Sequence, residues 1–244
     1  MKFTYPINTS ITHLIDRHPD STNFGDACLG SCGDLSHHPQ FWLHFDFPQE
    51  IKNLTLKQDI VLTRDKLTDQ LVSINILEFV TEIVNYSAIL VAFSTTPTIF
   101  STEFSVLLNW TDNNTTKSWT RKSATKSDKD CALQRVLCGF MINSKLGLQS
   151  QWIAGVNNII AGKISRIYST DTKWPPSFDS FFQKFPMLTS YQRYHPIPDL
   201  LSTLFIALPL ERSPGPSHLK NLVNVNPARS TSLTSYCSPN SPSN

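Results

Sequence analysis

The stretch from Leu77 to Phe93 limits the possible folds more than any other. Apolar residues stand at 76, 80, 83 and 90 and again at 77, 84 and 91, so more than one face of the predicted helix is hydrophobic. Such a helix is buried on most sides. Segments suited to a sheet lie around it: Thr22 to Leu29, the aromatic-rich Phe41 to Phe47 stopped by Pro48, Phe104 to Trp110, and Leu148 to Ile153. Val72 to Ile76 reads as a further strand running almost unbroken into the helix, and Gly30 to Gly33 as a small-residue turn. Thr116 to Phe140 is predicted helical in two parts, polar and basic first and apolar second, and Asn157 to Arg166 forms a later helix. The predicted order is strand, strand, strand, helix, strand, helix, strand, helix.

Three of these elements each carry one acid in an apolar setting: Asp26 on the first strand, Glu78 in the buried helix, and Asp112 just after the strand ending at Trp110. Desolvating a carboxylate costs several kcal/mol unless a cation or a hydrogen-bond network compensates it. A divalent metal pair would do so. Each acid also has a plainer reading. Glu78 and Glu82 are four residues apart on one helical face, with Glu78 placed in a first turn where the helix dipole favours negative charge, and taken alone both read as solvated surface residues. Asp112 taken alone is a turn former or helix cap.

At 244 residues with 40% hydrophobic content, the chain can build one domain with a sizeable core and an extension. The net charge of +2 permits nucleic-acid contact without arguing for it. The cysteines, five in number, and the absence of a secretory signal at the start argue for reduced thiols and a cytoplasmic or nuclear location. Cys28 and Cys32 lack the spacing of a zinc site, while Cys131 and Cys138 fall on one helical face, which suggests packing. The longest apolar run, Ala88 to Phe93, is far short of the ~20 residues that cross a bilayer, so no membrane partner is expected.

Taken together, Phe24-Gly25-Asp26-Ala27-Cys28-Leu29, Ser73-Ile74-Asn75-Ile76-Leu77-Glu78-Phe79-Val80, Leu108-Asn109-Trp110-Thr111-Asp112-Asn113, Gln151-Trp152-Ile153-Ala154-Gly155 and Asn158 through Arg166 resemble the ribonuclease H domain of retroelement reverse transcriptase polyproteins. The resemblance runs from about His18 to Arg166. It implies an α/β, ribonuclease H-like fold: a mixed five-stranded sheet flanked by helices, with a helical C-terminal extension. It also implies hydrolysis of the RNA strand of an RNA-DNA hybrid with two magnesium or manganese ions as cofactors, Asp26 bridging both ions and Glu78 and Asp112 each binding one. The implied partners are the hybrid and a reverse transcriptase polymerase domain.

One position departs from the family. Its last helix reads Asn-x-x-Ala-Asp-x-x-Ser-Arg, with the aspartate as fourth metal ligand, and this chain has Gly162 there, flanked by the matching Ala161, Ser165 and Arg166. Asn158, one turn earlier, could offer a neutral amide oxygen, and Asp171 is the next acid. Three outcomes stay open: an impaired ribonuclease, a catalytically inactive module that binds nucleic acid or packs on a polymerase, and a decayed transposon remnant. A transposase is disfavoured because the late helix carries no acid, and a polymerase because no two aspartates are adjacent.

Lys117, Arg121, Lys122 and Lys126 form a basic cluster that reads equally as a solvated helix face or as a handle for the hybrid. Trp42, Trp110, Trp119 and Trp152 are expected in the core. The predicted organisation is a lead-in over 1–19, the ribonuclease H-like domain over 20–168, a helical extension over 169–210 built on Phe178 to Leu188 and Asp199 to Leu208, and a proline- and serine-rich disordered tail over 211–244.

Overall fold

β1 (Ser21–Ala27), β2 (Ser31–His37) and β3 (Gln40–Asp46) run as an antiparallel meander, in which Asp26 faces Gly33 and Cys32 faces Phe45. β4 (Ser105–Thr111) joins β1 in parallel, β5 (Leu146–Trp152) joins β4 in parallel, and β6 (Gln192–Tyr194) joins β3 in parallel. The result is an α/β fold with a mixed sheet in the order β5-β4-β1-β2-β3-β6. The computed structural model describes residues 18–56, 72–95, 105–122, 128–144, 146–168 and 175–208, all within one compact unit spanning 1–213. The lead-in before His18, the tail over 211–244, Lys126 and Asp171 lie outside the described residues, as does the side chain of Lys122.

Helices cover both faces. Helix α1 (Gln49–Leu56) follows β3 and sends Ile51 into the main core, and α2 (Ile74–Thr95) lies across β1, β2 and β4. Around α2 pack α3 (Asn114–Lys122), α4 (Asp128–Asn143) and α7 (Pro198–Ala207). Leu77, Val80, Ile83, Val84 and Ile89 of α2 are fully buried, as a helix hydrophobic on several faces requires. By length and composition α2 could cross a bilayer, yet 78% of that stretch is buried inside the fold. On the opposite face, α5 (Ile159–Ser165) and α6 (Phe178–Lys184) enclose a second core of Leu35, Trp42, Ile164, Ile167, Phe181 and Leu188.

Three features differ from the sequence-based expectations. The sheet has six strands rather than five: β2 and β6 are added and Val72 to Ile76 drops out, and Gly30 to Gly33 is not simply a turn, since Ser31 starts β2, whose small residues let α5 approach. A Cβ on Gly33 would lie 2.2 Å from the Ser165 nitrogen, so glycine is required there. Val72 to Ile76 is not a strand. Its β-branched residues suit one, but Ser73 caps a helix start, accepting from the Ile76 and Leu77 amides on its carbonyl at 3.0 and 3.2 Å, and α2 begins at Ile74. The extension is not purely helical either. Between the 3-10 turn Pro186–Ser190 and α7 it contributes β6, whose Arg193 guanidinium stacks 5.1 Å from the Trp42 ring and 4.5 Å from that of Phe178.

Candidate metal centre

The carboxyl ends of the three parallel strands β1, β4 and β5 meet at one edge of the sheet, where open α/β sheets place their ligands. Asp26 is the penultimate residue of β1. Asp112 follows the last residue of β4, and Glu78 projects from α2 above them. One ligand oxygen of each lies within 4.8 Å of the others, with Asp26 and Glu78 buried and Asp112 half-buried. Glu78 and Glu82 are therefore not solvated surface residues, and since α2 starts at Ile74, Glu78 sits in the second turn rather than the first. Its neighbours, more than the helix dipole, hold it in place.

Local hydrogen bonds fix each acid. The Ala27 amide donates to Glu78 Oε1 at 3.1 Å, tying α2 to the end of β1. Asn113, next to Asp112, caps α3 by accepting from the Thr115 and Thr116 amides and donates its own Nδ2 to Asn75 Oδ1 at 2.7 Å, which locks the first turn of α2 to the end of β4. From β5, the Trp152 indole donates to the Asp112 carbonyl at 3.0 Å. Trp152 is thus a rim residue, 44% exposed, and not part of the core as expected, whereas Trp42 is buried. Gly155 closes against the acid: a Cβ there would stand 2.8 Å from Asp112 Oδ2.

The late helix supplies a cation. Arg166 Nη1 donates to Asp26 Oδ2 at 2.6 Å and to the Gly162 carbonyl at 2.9 Å, and the Ser165 hydroxyl also donates to Asp26 Oδ2. Gly162 itself brings no ligand, and a Cβ on it would touch Arg166 Nη1 at 3.4 Å. Asn158 donates Nδ2 to the Gly25 carbonyl at 2.9 Å, leaving its buried Oδ1 without a partner beside the strand that carries Asp26. Burial raises the Asp26 pKa, although Arg166 and Ser165 oppose the shift. Burial, and next the nearby Asp26 charge, push Glu78 well above the usual carboxylate range.

These residues fit a hard divalent cation. All the donors are carboxylate oxygens, they arise from three separate elements, and their negative charge is only partly offset by the protein. The described part of the predicted basic cluster lies on α3. Lys117 and Arg121, one turn apart on α3, line a groove of about 430 Å³ with Asn114 and Ser118, and α3 begins two residues after Asp112.

Two features are missed by sequence reasoning. The ion pair between Arg166 and Asp26 joins residues remote in the chain, and only the Ser165-Arg166 dipeptide hints at it. The other is a second acid group deeper in the core, where Asp34 on β2 is fully buried with neither oxygen hydrogen-bonded and Glu82 on α2 bonds only through Oε2, to Thr120 at 2.8 Å. Asn23, Asn85 and Asn109 form a hydrogen-bonded chain across the same interior. Pairing of β2 with β1 and β3 would have been the signal for Asp34. No protein-family model, curated protein or solved structure matches the chain.

Proposed function

We propose that the chain is a ribonuclease H-like retroelement domain, a metal-dependent endonuclease acting on the RNA strand of an RNA-DNA hybrid. One observation carries this proposal: Asp26, Glu78 and Asp112, from three distant segments, converge within 4.8 Å at the carboxyl ends of parallel strands. Asp26, Glu78 and Asp112 would hold the divalent cation, which supplies charge neutralisation at the scissile phosphate and activation of the attacking water. Asp26 is held in place by Ser165 and Arg166, and Glu78 by the Ala27 amide. Lys117 and Arg121, which line the groove on α3, would take backbone phosphates of the duplex. Selection of RNA would come from its 2'-hydroxyls and the minor-groove shape of the hybrid.

The test is incubation of the purified chain with a hybrid labelled on its RNA strand, with magnesium or manganese, beside Asp26→Asn. Cleavage by the wild type that disappears in the variant is expected. Intact RNA in both metals would refute a hydrolase. A second reading, a hybrid-binding module without cleavage, is favoured by the Arg166 guanidinium standing against Asp26 where the family has a carboxylate one turn earlier. It predicts salt-sensitive hybrid binding with no cut product.

A further inference from the structure

We infer that this site is a one-ion centre in which the Arg166 guanidinium takes the place of a second cation, an inference that rests on the metal-centre reading above. Oxygen availability is the first ground. Both Arg166 and Ser165 donate to Oδ2 of Asp26, and the Ala27 amide takes Oε1 of Glu78. Asp26 Oδ2 accepts two bonds and Glu78 Oε1 one, which leaves Asp26 Oδ1 and Glu78 Oε2 the most available oxygens, and with Asp112 these would make one coordinating face.

Charge is the second ground. Three carboxylates and one guanidinium carry a formal charge of −2, which a single divalent ion cancels and a second would overshoot. Space is the third. Arg166 Nη1 is 3.4 Å from where a Cβ on Gly162 would be and 2.9 Å from the Gly162 carbonyl, so the guanidinium stands in contact with the position that brings no carboxylate. The unpartnered, buried Oδ1 of Asn158 lies on the same helix approach and adds a neutral acceptor without adding charge. Gly162 and Arg166 thus act together: position 162 adds no negative charge, and the guanidinium beside it replaces the charge of an ion.

Manganese titration of the full chain at pH 8, with free ion read by electron paramagnetic resonance, tests this without measuring cleavage. The wild type binds one equivalent, and Asp112→Asn loses it. Arg166→Met, which removes the competing cation, binds manganese roughly tenfold more tightly or takes a second equivalent. Arg166→Lys keeps the charge and behaves as the wild type, and thermal unfolding of each variant confirms that it is folded. Two equivalents in the wild type, or an Arg166→Met variant indistinguishable from it, overturn this inference and leave the metal centre standing. Binding seen only after Arg166 is removed makes the guanidinium a blocker and overturns it too. No binding in any of these proteins overturns the metal centre itself.

Discussion

The protein holds two groups of buried acids about one helix, and they are treated in opposite ways. At the strand ends, Asp26 and Glu78 receive an arginine, a serine hydroxyl and a backbone amide, and Asp112 leaves the group half open to solvent. Deeper in the core, Asp34 on β2 and Glu82 on α2 are fully enclosed with no cation described beside them; the Thr120 hydroxyl donates to Glu82 and not to Asp34, and neither oxygen of Asp34 is hydrogen-bonded. Burial pushes Asp34 well above the usual carboxylate range and Glu82 to about 7. The first group could stay charged with a divalent cation bound. The second is most readily accommodated with its protons on.

The largest expected difference between the two groups is in catalysis. Asp26→Asn should reduce hybrid cleavage on the order of 10²-fold or more, whereas Asp34→Asn should leave it within a few-fold, as measured by initial rates in magnesium. Cleavage lost equally in both would dissolve the distinction. Next in size is Gly33→Ala, which drives a methyl into the Ser165 backbone and should cost about 3 kcal/mol in denaturant unfolding. It should also loosen the Arg166 contact with Asp26 by displacing α5, so that manganese affinity changes together with stability.

Glu82→Gln sharpens the contrast through pH. The folded pKa of Glu82 is raised from 4.5 to about 7, so between those values the folded state holds more protons than the unfolded, and stability falls as pH rises through this window. The variant should therefore be more stable than the wild type by roughly 2–3 kcal/mol at pH 8, with the gap closing as pH falls towards 4.5. A gap that does not change with pH would mean that Glu82 is not the titrating group. Glu78→Gln should show the same sign without metal, and should also abolish the rise in melting temperature expected of the wild type when manganese is added. The smallest effect belongs to the groove on α3. Lys117→Ala combined with Arg121→Ala should weaken hybrid binding modestly and flatten its salt dependence by about two phosphate contacts, with no change in manganese binding.

Local pattern carries much of this architecture. The multi-faced apolar helix, the strands bearing Asp26 and preceding Asp112, the divided helix from Thr116 and the late helix all announce themselves by periodicity and composition, because each buries its own side chains. β2 does not. Ser31, Cys32, Gly33 and Asp34 have no strong strand preference, and what makes them a strand is pairing on both sides and the approach of α5, neither of which is local. Val72 to Ile76 misleads for the converse reason: β-branched residues suit a strand, but the Ser73 cap and the core beneath α2 decide for helix. The three acids can be picked out singly in the sequence. Their convergence, the Arg166 pairing and the Asp34 interior depend on tertiary approach, and no spacing rule encodes them.

β6 has a practical consequence. Its three residues pair with Phe41, Trp42 and Leu43, and α7 behind it seats Phe205 against Phe45 and Phe47. A shortened version ending at the late helix would strip the outer rung from β3 and bare its aromatic underside, presenting unpaired amides and carbonyls to any neighbouring copy. Recombinant fragments of this protein should thus retain residues through 208 if they are to remain dispersed in solution.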